Sequence, residues 1–401
     1  MNLPDLNYVQ PFFQPIISAD DLSVFAYEVL AREVRAGKVK TLGPYFEDKT
    51  VPDLDKLVVD QHVRTLALKK FAASGSRAKL FMNLKPSWIL ERRGQDGDRD
   101  ESQILTMVGA LGLDPKNIVI EVTEEELLAD IDEFSRLLAD YRRMGCLLAI
   151  DDFGKGASSI ERIAYVDPNI VKIDSSIVQR VDSHRSFFEI CQAMAAFGDI
   201  SGFDLLFEGV ETPYQLERCV AARGRYFQGW IFAKAEAEPK TDFTDRDLLD
   251  SILSIRASRD MVKMRRRGEM IGKIENDVEQ LRRLIPDNER ELANPQALLA
   301  LARELPYYCI RCFVCNMRGR QLSHVYQVGS HGVVTVGASN DASWFFRDFF
   351  TKGLGAIQDG RLGYLSEIYK NVITKENIAT YIHRLSDERL LCVDVISTVL
   401  N

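Results

Sequence analysis

The chain has 401 residues, 46% of them hydrophobic and 27% charged, the composition of a globular protein with room for about two or three domains, which excludes disordered and collagen-like chains. Lys and Arg number 51 against 59 Asp and Glu, a net charge of −8, the wrong sign for a protein that coats bulk nucleic acid. The opening MNLPDLNYVQ lacks a basic run followed by an apolar core, no stretch of about 18 apolar residues occurs, and seven cysteines are an odd, sparse count, so a cytoplasmic protein with no membrane segment and reduced thiols is expected.

From residue 1 to about 240, short apolar runs alternate with helix-period segments, the pattern of a parallel sheet with crossover helices. The predicted strands are Phe12 to Ile17, Ala26 to Ala31, Leu80 to Leu84, Ile118 to Val122, Leu147 to Asp151, Ile170 to Ile173, Leu205 to Val210 and Tyr226 to Phe232. Between them, Glu124 to Met144 reads as a helix, with Leu127, Leu128, Ile131, Phe134, Leu137, Leu138 and Tyr141 recurring at three and four before Gly145. Spacing alone suits a closed (β/α)8 barrel and an open doubly wound sheet equally. Polar residues near the strand ends favour the barrel: Glu28, Asn83, Glu121, Asp151 with Asp152, Lys172, Glu208 and Gln228 would converge on one mouth if all strands run parallel around a closed α/β barrel.

Residues 241–286 predict one charged linker helix, in which Ile271, Ile274, Val278, Leu281 and Ile285 step by three and four before Pro286. That stripe suits packing on its own domain and a homodimer seam equally. The basic cluster of Lys263 and Arg265 to Arg267 reads as a solvated helix face. Residues 287–401 change period. A helix near Pro295 to Leu305 precedes alternating runs at Tyr307 to Asn316, Gln321 to Val328, Val333 to Gly337, Leu362 to Ile368, Ile378 to Leu385 and Leu390 to Ser397, with a helix around Ala342 to Thr351. This is an α+β domain with an antiparallel sheet.

Like charges gathered at one mouth repel unless something positive sits among them. Oxygen donors alone, from Glu28, Asn83, Glu121, Asp151, Asp152 and Glu208 with no His or Cys in the pattern, suit Mg2+ or Mn2+. Adjacent Asp151 and Asp152 can both reach metals where the chain turns at a strand end, which is two-metal geometry suited to phosphodiester cleavage. Lys172 faces this acidic site, either as a structural ion pair or to orient the attacking water and neutralise developing charge.

The segments Glu28-Val29-Leu30-Ala31-Arg32, Phe81-Met82-Asn83-Leu84, Glu121-Val122-Thr123-Glu124, Asp151-Asp152-Phe153-Gly154, Val171-Lys172-Ile173-Asp174, Glu208-Gly209-Val210-Glu211 and Gln228-Gly229 resemble, in order, the signature of EAL-domain phosphodiesterases. The resemblance covers roughly residues 8 to 240 and implies a TIM-like barrel that hydrolyses cyclic di-GMP to linear pGpG. It further implies metal ligation by Glu28, Asn83, Glu121, Asp151, Asp152 and Glu208, with Lys172, Glu28 and Asp151 catalytic. Gln14, Leu30 and Arg32 would meet the dinucleotide, Glu211 and Gln228 would line the site, and Glu124 would tether the loop after Asp152, a loop coupled to the dimer. Three positions depart from the family pattern: Val29 in the name-giving triplet, Lys85 where a small polar residue is usual, and Ala235 where Pro is common. In an extended run Glu28, Leu30 and Arg32 share one face and Val29 the other, so Val29 is expected to be tolerated. The barrel, helix and sheet order, with Trp344 to Phe350, resembles the YkuI-type proteins, which implies a PAS-like or Cache-like C-terminal domain taking an unidentified ligand or protein.

The C-x2-C-x2-C run of Cys309, Cys312 and Cys315 lacks a local fourth ligand, and simple alternation puts Cys309 and Cys315 on one face with Cys312 on the other. Arg347 amid four Phe and one Trp suggests an anion-gripping pocket or, more simply, an aromatic helix packed on its sheet. The five histidines form no H-E-x-x-H motif or hydrolase triad. Two functions follow: a cyclic di-GMP phosphodiesterase regulated by its C-terminal domain, expected as a homodimer, or a receptor that binds cyclic di-GMP with little or no hydrolysis.

Overall fold

The computed structural model describes residues 3–85, 103–123, 131–155, 160–181, 183–329, 334–337, 343–372 and 374–400. It forms two compact units, Met1–Arg256 and Ala257–Asn401, and the division falls within the single helix Arg246–Leu281. No helix among the described residues is long and apolar enough to cross a membrane.

Among the described residues the first unit contains nine strands: β1 (Val9–Ser18), β2 (Val24–Arg35), β3 (Lys38–Thr41), β4 (Lys79–Asn83), β5 (Ile118–Thr123), β6 (Leu147–Phe153), β7 (Ile170–Ile173), β8 (Asp204–Phe207) and β9 (Tyr226–Phe227). Their order is β1-β9-β8-β7-β6-β5-β4-β2-β3, and β1 also pairs with β2. Eight strands therefore close a barrel, with β3 appended to β2 as a hairpin. The barrel departs from an all-parallel one at β1, which runs antiparallel to both β2 and β9 while β2 and β4 to β9 run parallel. The cause is the short link between β1 and β2, since so tight a connection joins only antiparallel neighbours.

Each barrel strand sends one apolar side chain inward to a plug of Ile16, Ala26, Phe81, Val119, Ala149, Ile170, Leu206 and Tyr226. Phe25 closes it by stacking on Tyr226, ring centroids 4.0 Å apart. Outside, alternate residues meet the helices: Val59, Val63, Ala67 and Phe71 from Asp53–Ser74, and Leu137, Leu138 and Tyr141 from Ile131–Met144. Each large side chain so buried stabilises by about 1.5–3 kcal/mol. Val29 lies in this outer layer at 8% exposure, so its size is read by the helices and not by the barrel mouth.

The second unit carries an antiparallel sheet of β10 (Cys309–Asn316), β11 (Tyr326–Val328), β12 (Val334–Val336), β13 (Gly363–Leu365), β14 (Tyr369–Lys370), β15 (Asn377–Arg384) and β16 (Arg389–Ile396), ordered β12-β11-β10-β16-β15-β13 with β14 on β15. One face packs Phe349, Phe350 and Ile357 of helix Asp348–Gln358 against Phe313, Cys315, Ile382 and Cys392. The other face packs Ile274 and Val278 of the long helix against Cys312, Val314, Tyr381 and Val393. The anion-pocket idea fails locally: Arg347 is an exposed N-cap residue, while Phe349 and Phe350 go into the core. Arg267 of the basic cluster is likewise not a free solvated side chain, since its Nη2 donates to Leu365 O at 2.8 Å and Ser366 O at 2.6 Å.

The cysteine faces are corrected as well. Cys309 and Cys312 share one face and Cys315 lies on the other, 3.6 Å from Cys392, because a register shift between Cys309 and Arg311 breaks the alternation. None of the seven cysteines forms a disulfide, and all are buried.

His383 on β15 is fully buried and its Nε2 meets Glu279 Oε2 at 2.8 Å. Burial lowers its pKa below 6.5, against the opposing pull of Glu279. The folded form thus binds this proton less readily than the unfolded chain, so the stability that neutral His383 supports is present above the ordinary histidine value and is lost as pH falls toward the lowered one. Urea unfolding of wild type and His383→Gln between about pH 8 and pH 5 should show the wild type losing more stability toward the acid end; parallel profiles contradict this.

Candidate functional site

The barrel mouth follows from the plug by the two-residue period of a strand. Two positions beyond the plug residue, toward the mouth, stand Gln14, Glu28, Asn83, Glu121, Asp151, Lys172, Glu208 and Gln228. Gln14 is reached in the reverse chain direction because β1 is antiparallel, and it lies opposite Glu28 in the β1–β2 register. Glu28 sits inside β2 and does not end it, since that strand continues to Arg35 to pair with β3.

Lys172 is the centre of this layer. It is 1% exposed, and its Nζ lies 2.5 Å from Glu208 Oε1, 2.6 Å from Glu121 Oε1, 2.9 Å from Asp151 Oδ1 and 3.7 Å from Glu28 Oε2. The contacts to Glu121 and Glu208 are ion pairs whose angles do not make hydrogen bonds. Gln228 Nε2 donates to Glu28 Oε2 at 2.7 Å. Among the described residues, buried Glu121 Oε2 and Gln228 Oε1 have no hydrogen-bond partner.

Adjacent Asp151 and Asp152 both reach the mouth because β6 bulges. Its register with β7 shifts between Ile150 and Phe153, and Asp152 takes φ +56°, a left-handed backbone that Asp tolerates better than most side chains. Asp152 N–H donates to Asp151 Oδ1 at 2.9 Å. Gly154 follows at φ +97°, where an added Cβ would stand 2.1 Å from Ile177 Cδ1.

The carboxylates fall into two groups that share Asp151: Glu28, Glu121 and Asp151, and Asp151, Asp152 and Glu208, each offering oxygens within 4.8 Å of one another. All-oxygen donors, partly unpartnered and buried among like charges, fit a hard divalent cation. Burial holds the Glu121 and Glu208 carboxyls well above the carboxylate range against the pull of Lys172, and Glu28 and Asp151 push the same way. Burial and then Asp151 raise Asp152 too. Burial disfavours the Lys172 ammonium, but Asp151, Glu121, Glu208 and Glu28 together outweigh it and raise its pKa.

Of the other expected residues, Asn83 is half-buried and in register with Glu121. Leu30 and Arg32 lie further along β2, where Arg32 Nη1 donates to Ala31 O at 3.0 Å and Thr41 Oγ1 at 3.3 Å. Glu211 is exposed and belongs to neither carboxylate group; its backbone N–H donates to Gln215 Oε1 at 2.9 Å. Glu124 and positions 156–159 of the loop after Asp152 lie outside the described residues. Lys155 belongs to the loop after Asp152 and has no role of its own in the family resemblance, although it stands three residues from that carboxylate; its Nζ lies 3.1 Å from Asp152 Oδ2.

The chain belongs to the EAL-domain family, whose model matches residues 3–235. An EAL-domain associated signalling protein domain matches residues 243–400. The chain is 26% identical over 402 residues, 98% of its own length and 95% of the relative's, to the uncharacterized EAL-domain containing protein YkuI of Bacillus subtilis. It is similar to the crystal structure of Bacillus subtilis YkuI in complex with substrate c-di-GMP and calcium, with a TM-score of 0.85 and 25% identity over 98% of this chain and 97% of that one. It is also 27% identical over 232 residues to the cyclic di-GMP phosphodiesterase RocR of Pseudomonas aeruginosa, covering 57% of this chain and 58% of that protein.

Two expectations follow from the geometry. Lys172→Met leaves the buried carboxylates without their cation and should destabilise the metal-free protein by about 3–5 kcal/mol at neutral pH. The loss should shrink in mild acid as Glu121 and Glu208 take up protons, which denaturant melts at two pH values check. Gly229→Ala forces a Cβ to within 1.9 Å of Val210 O, where the loops after β8 and β9 are joined by Val210 N–H donating to Gln228 O at 3.0 Å. The melting temperature should fall by roughly 5 °C, read by circular dichroism.

Proposed function

We propose that this chain is a divalent-metal-dependent phosphodiesterase that hydrolyses cyclic di-GMP to linear pGpG. The observation that carries the reading is the pair of carboxylate groups sharing Asp151 around the buried ammonium of Lys172. Relatives named as cyclic di-GMP phosphodiesterases support it, as does the similar structure holding c-di-GMP with calcium.

In this reading Glu28, Asn83, Glu121, Asp151, Asp152 and Glu208 hold two ions of Mg2+ or Mn2+. When bound, such ions supply Lewis acidity toward the phosphodiester and acidify the attacking water. Lys172 donates an N–H to orient that water and offsets negative charge as it grows on the phosphate oxygens. Gln228 fixes the Glu28 carboxylate by the hydrogen bond at 2.7 Å, a constraint of the kind that tunes a ligand. Gln14, Leu30, Arg32 and Glu211 contact the dinucleotide, and Glu124 tethers the loop after Asp152. Residues 1–240 form the catalytic barrel, 241–286 a linker helix, and 287–401 a PAS-like or Cache-like domain that controls turnover through its own ligand or partner. The working form is a cytoplasmic homodimer.

A receptor that holds cyclic di-GMP without turning it over is the second reading, favoured by the Lys155 ammonium already seated on Asp152. Incubating the purified chain with cyclic di-GMP and Mg2+ or Mn2+, and following pGpG by chromatography, separates the two: the enzyme releases pGpG, while a receptor binds the nucleotide and releases none over hours. Glu28→Ala should reduce turnover about a hundredfold or more, and full activity in that variant discards the ligand assignment.

A further inference from the structure

Lys155 stands at the rim of the carboxylate layer and takes no role in the proposed hydrolysis. We propose that its ammonium is a tethered competitor for the cation held by Asp151, Asp152 and Glu208, so that the two metal positions fill unequally. This rests on the divalent-metal reading of the site.

The side chain reaches Asp152 from the solvent side, with 56% of it exposed, and places Nζ 3.1 Å from Asp152 Oδ2. The turn that brings it there is built into the bulge: Lys155 N–H donates to Asp152 O at 3.1 Å, across Asp152 and Gly154 in left-handed conformations. Asp152 therefore offers its carboxylate both to a resident ammonium and to the group that would bind a diffusing cation. The inner group differs. Glu28, Glu121 and Asp151 are all buried, and among the described residues the ammonium that meets them is that of Lys172.

Charge points the same way. Lys172 serves both groups, through Glu121 and Glu28 on one side and Glu208 on the other, whereas Lys155 adds a second positive charge to the outer group alone. Among the described residues, an ion entering the inner group meets no ammonium besides that of Lys172, which both groups share, whereas one entering the outer group must also displace an ammonium that the chain cannot release. An exposed ion pair is weak enough to be displaced, yet its loss is felt as roughly fivefold in affinity. Occupancy of the outer position thus follows the free divalent-ion concentration, with the inner position filled first.

The test is titration of the full chain with Mn2+, followed by electron paramagnetic resonance of free Mn2+ and by calorimetry, for wild type, Lys155→Met and Lys155→Arg. The inference expects two unequal steps in the wild type and in Lys155→Arg. In Lys155→Met the weaker step should tighten severalfold, up to about fivefold, while the tighter step stays unchanged. An unchanged weaker step in Lys155→Met, or equal tightening of both steps, overturns the role of Lys155 and leaves the metal reading standing. Binding of no Mn2+ by any of the three proteins overturns the metal reading itself, and the Lys155 inference with it.

Discussion

The barrel mouth is organised by one buried ammonium. Lys172, 1% exposed, touches carboxylates delivered by β2, β5, β6 and the segment after β8, and without its charge those groups would repel across a few ångströms of low-dielectric interior. Such a layer does not stabilise the fold by itself: taking five carboxylates and a lysine out of water costs more than their mutual attraction returns when oxygens remain unpartnered, as Glu121 Oε2 does. The offset comes from below and outside, from the apolar plug and the helix layer. A site held in a strained, charge-dense arrangement by a rigid scaffold is what recognition of a charged ligand requires.

That division between plug and mouth is why much of the site is legible in the sequence. In Phe81-Met82-Asn83, Val119-Ile120-Glu121, Ala149-Ile150-Asp151, Ile170-Val171-Lys172, Leu206-Phe207-Glu208 and Tyr226-Phe227-Gln228, an inward apolar residue, an outward one and an inward polar one follow in turn. A parallel barrel turns this local rhythm into a ring, because neighbouring strands run in step. Val29 fits the same rhythm: it is an outward residue, and a valine packs among the helices.

What local rhythm could not reveal is where it slips. The bulge in β6 aims two consecutive carboxylates at one mouth, and the register shift near Ile310 puts Cys309 and Cys312 on one face of the second sheet. Both depend on a single extra residue against a partner strand, which is a property of pairing and not of the strand's own sequence. The reversed direction of β1 and the extension of β2 into a hairpin have a similar origin, since each is decided by which strand lies alongside. The sequence predicts a helix around Ala342 to Thr351, whereas Trp344 precedes the helix and stacks on Phe313 at 4.6 Å between centroids, and the helical turn begins only after Arg347.

The reversed first strand also sets the order in which the barrel can be completed. Because β1 is wedged between β2 and β9, with Ile17 paired to Phe227 and Ser18 to Tyr226, the cylinder has no finished wall until the last strand to be synthesised meets one of the earliest. On the ribosome the growing polypeptide must carry an open sheet edge through the making of every intervening strand, and contacts so remote along the chain form slowly. The final seam thus doubles as a checkpoint on assembly, coming together only after the whole acidic ring has been translated.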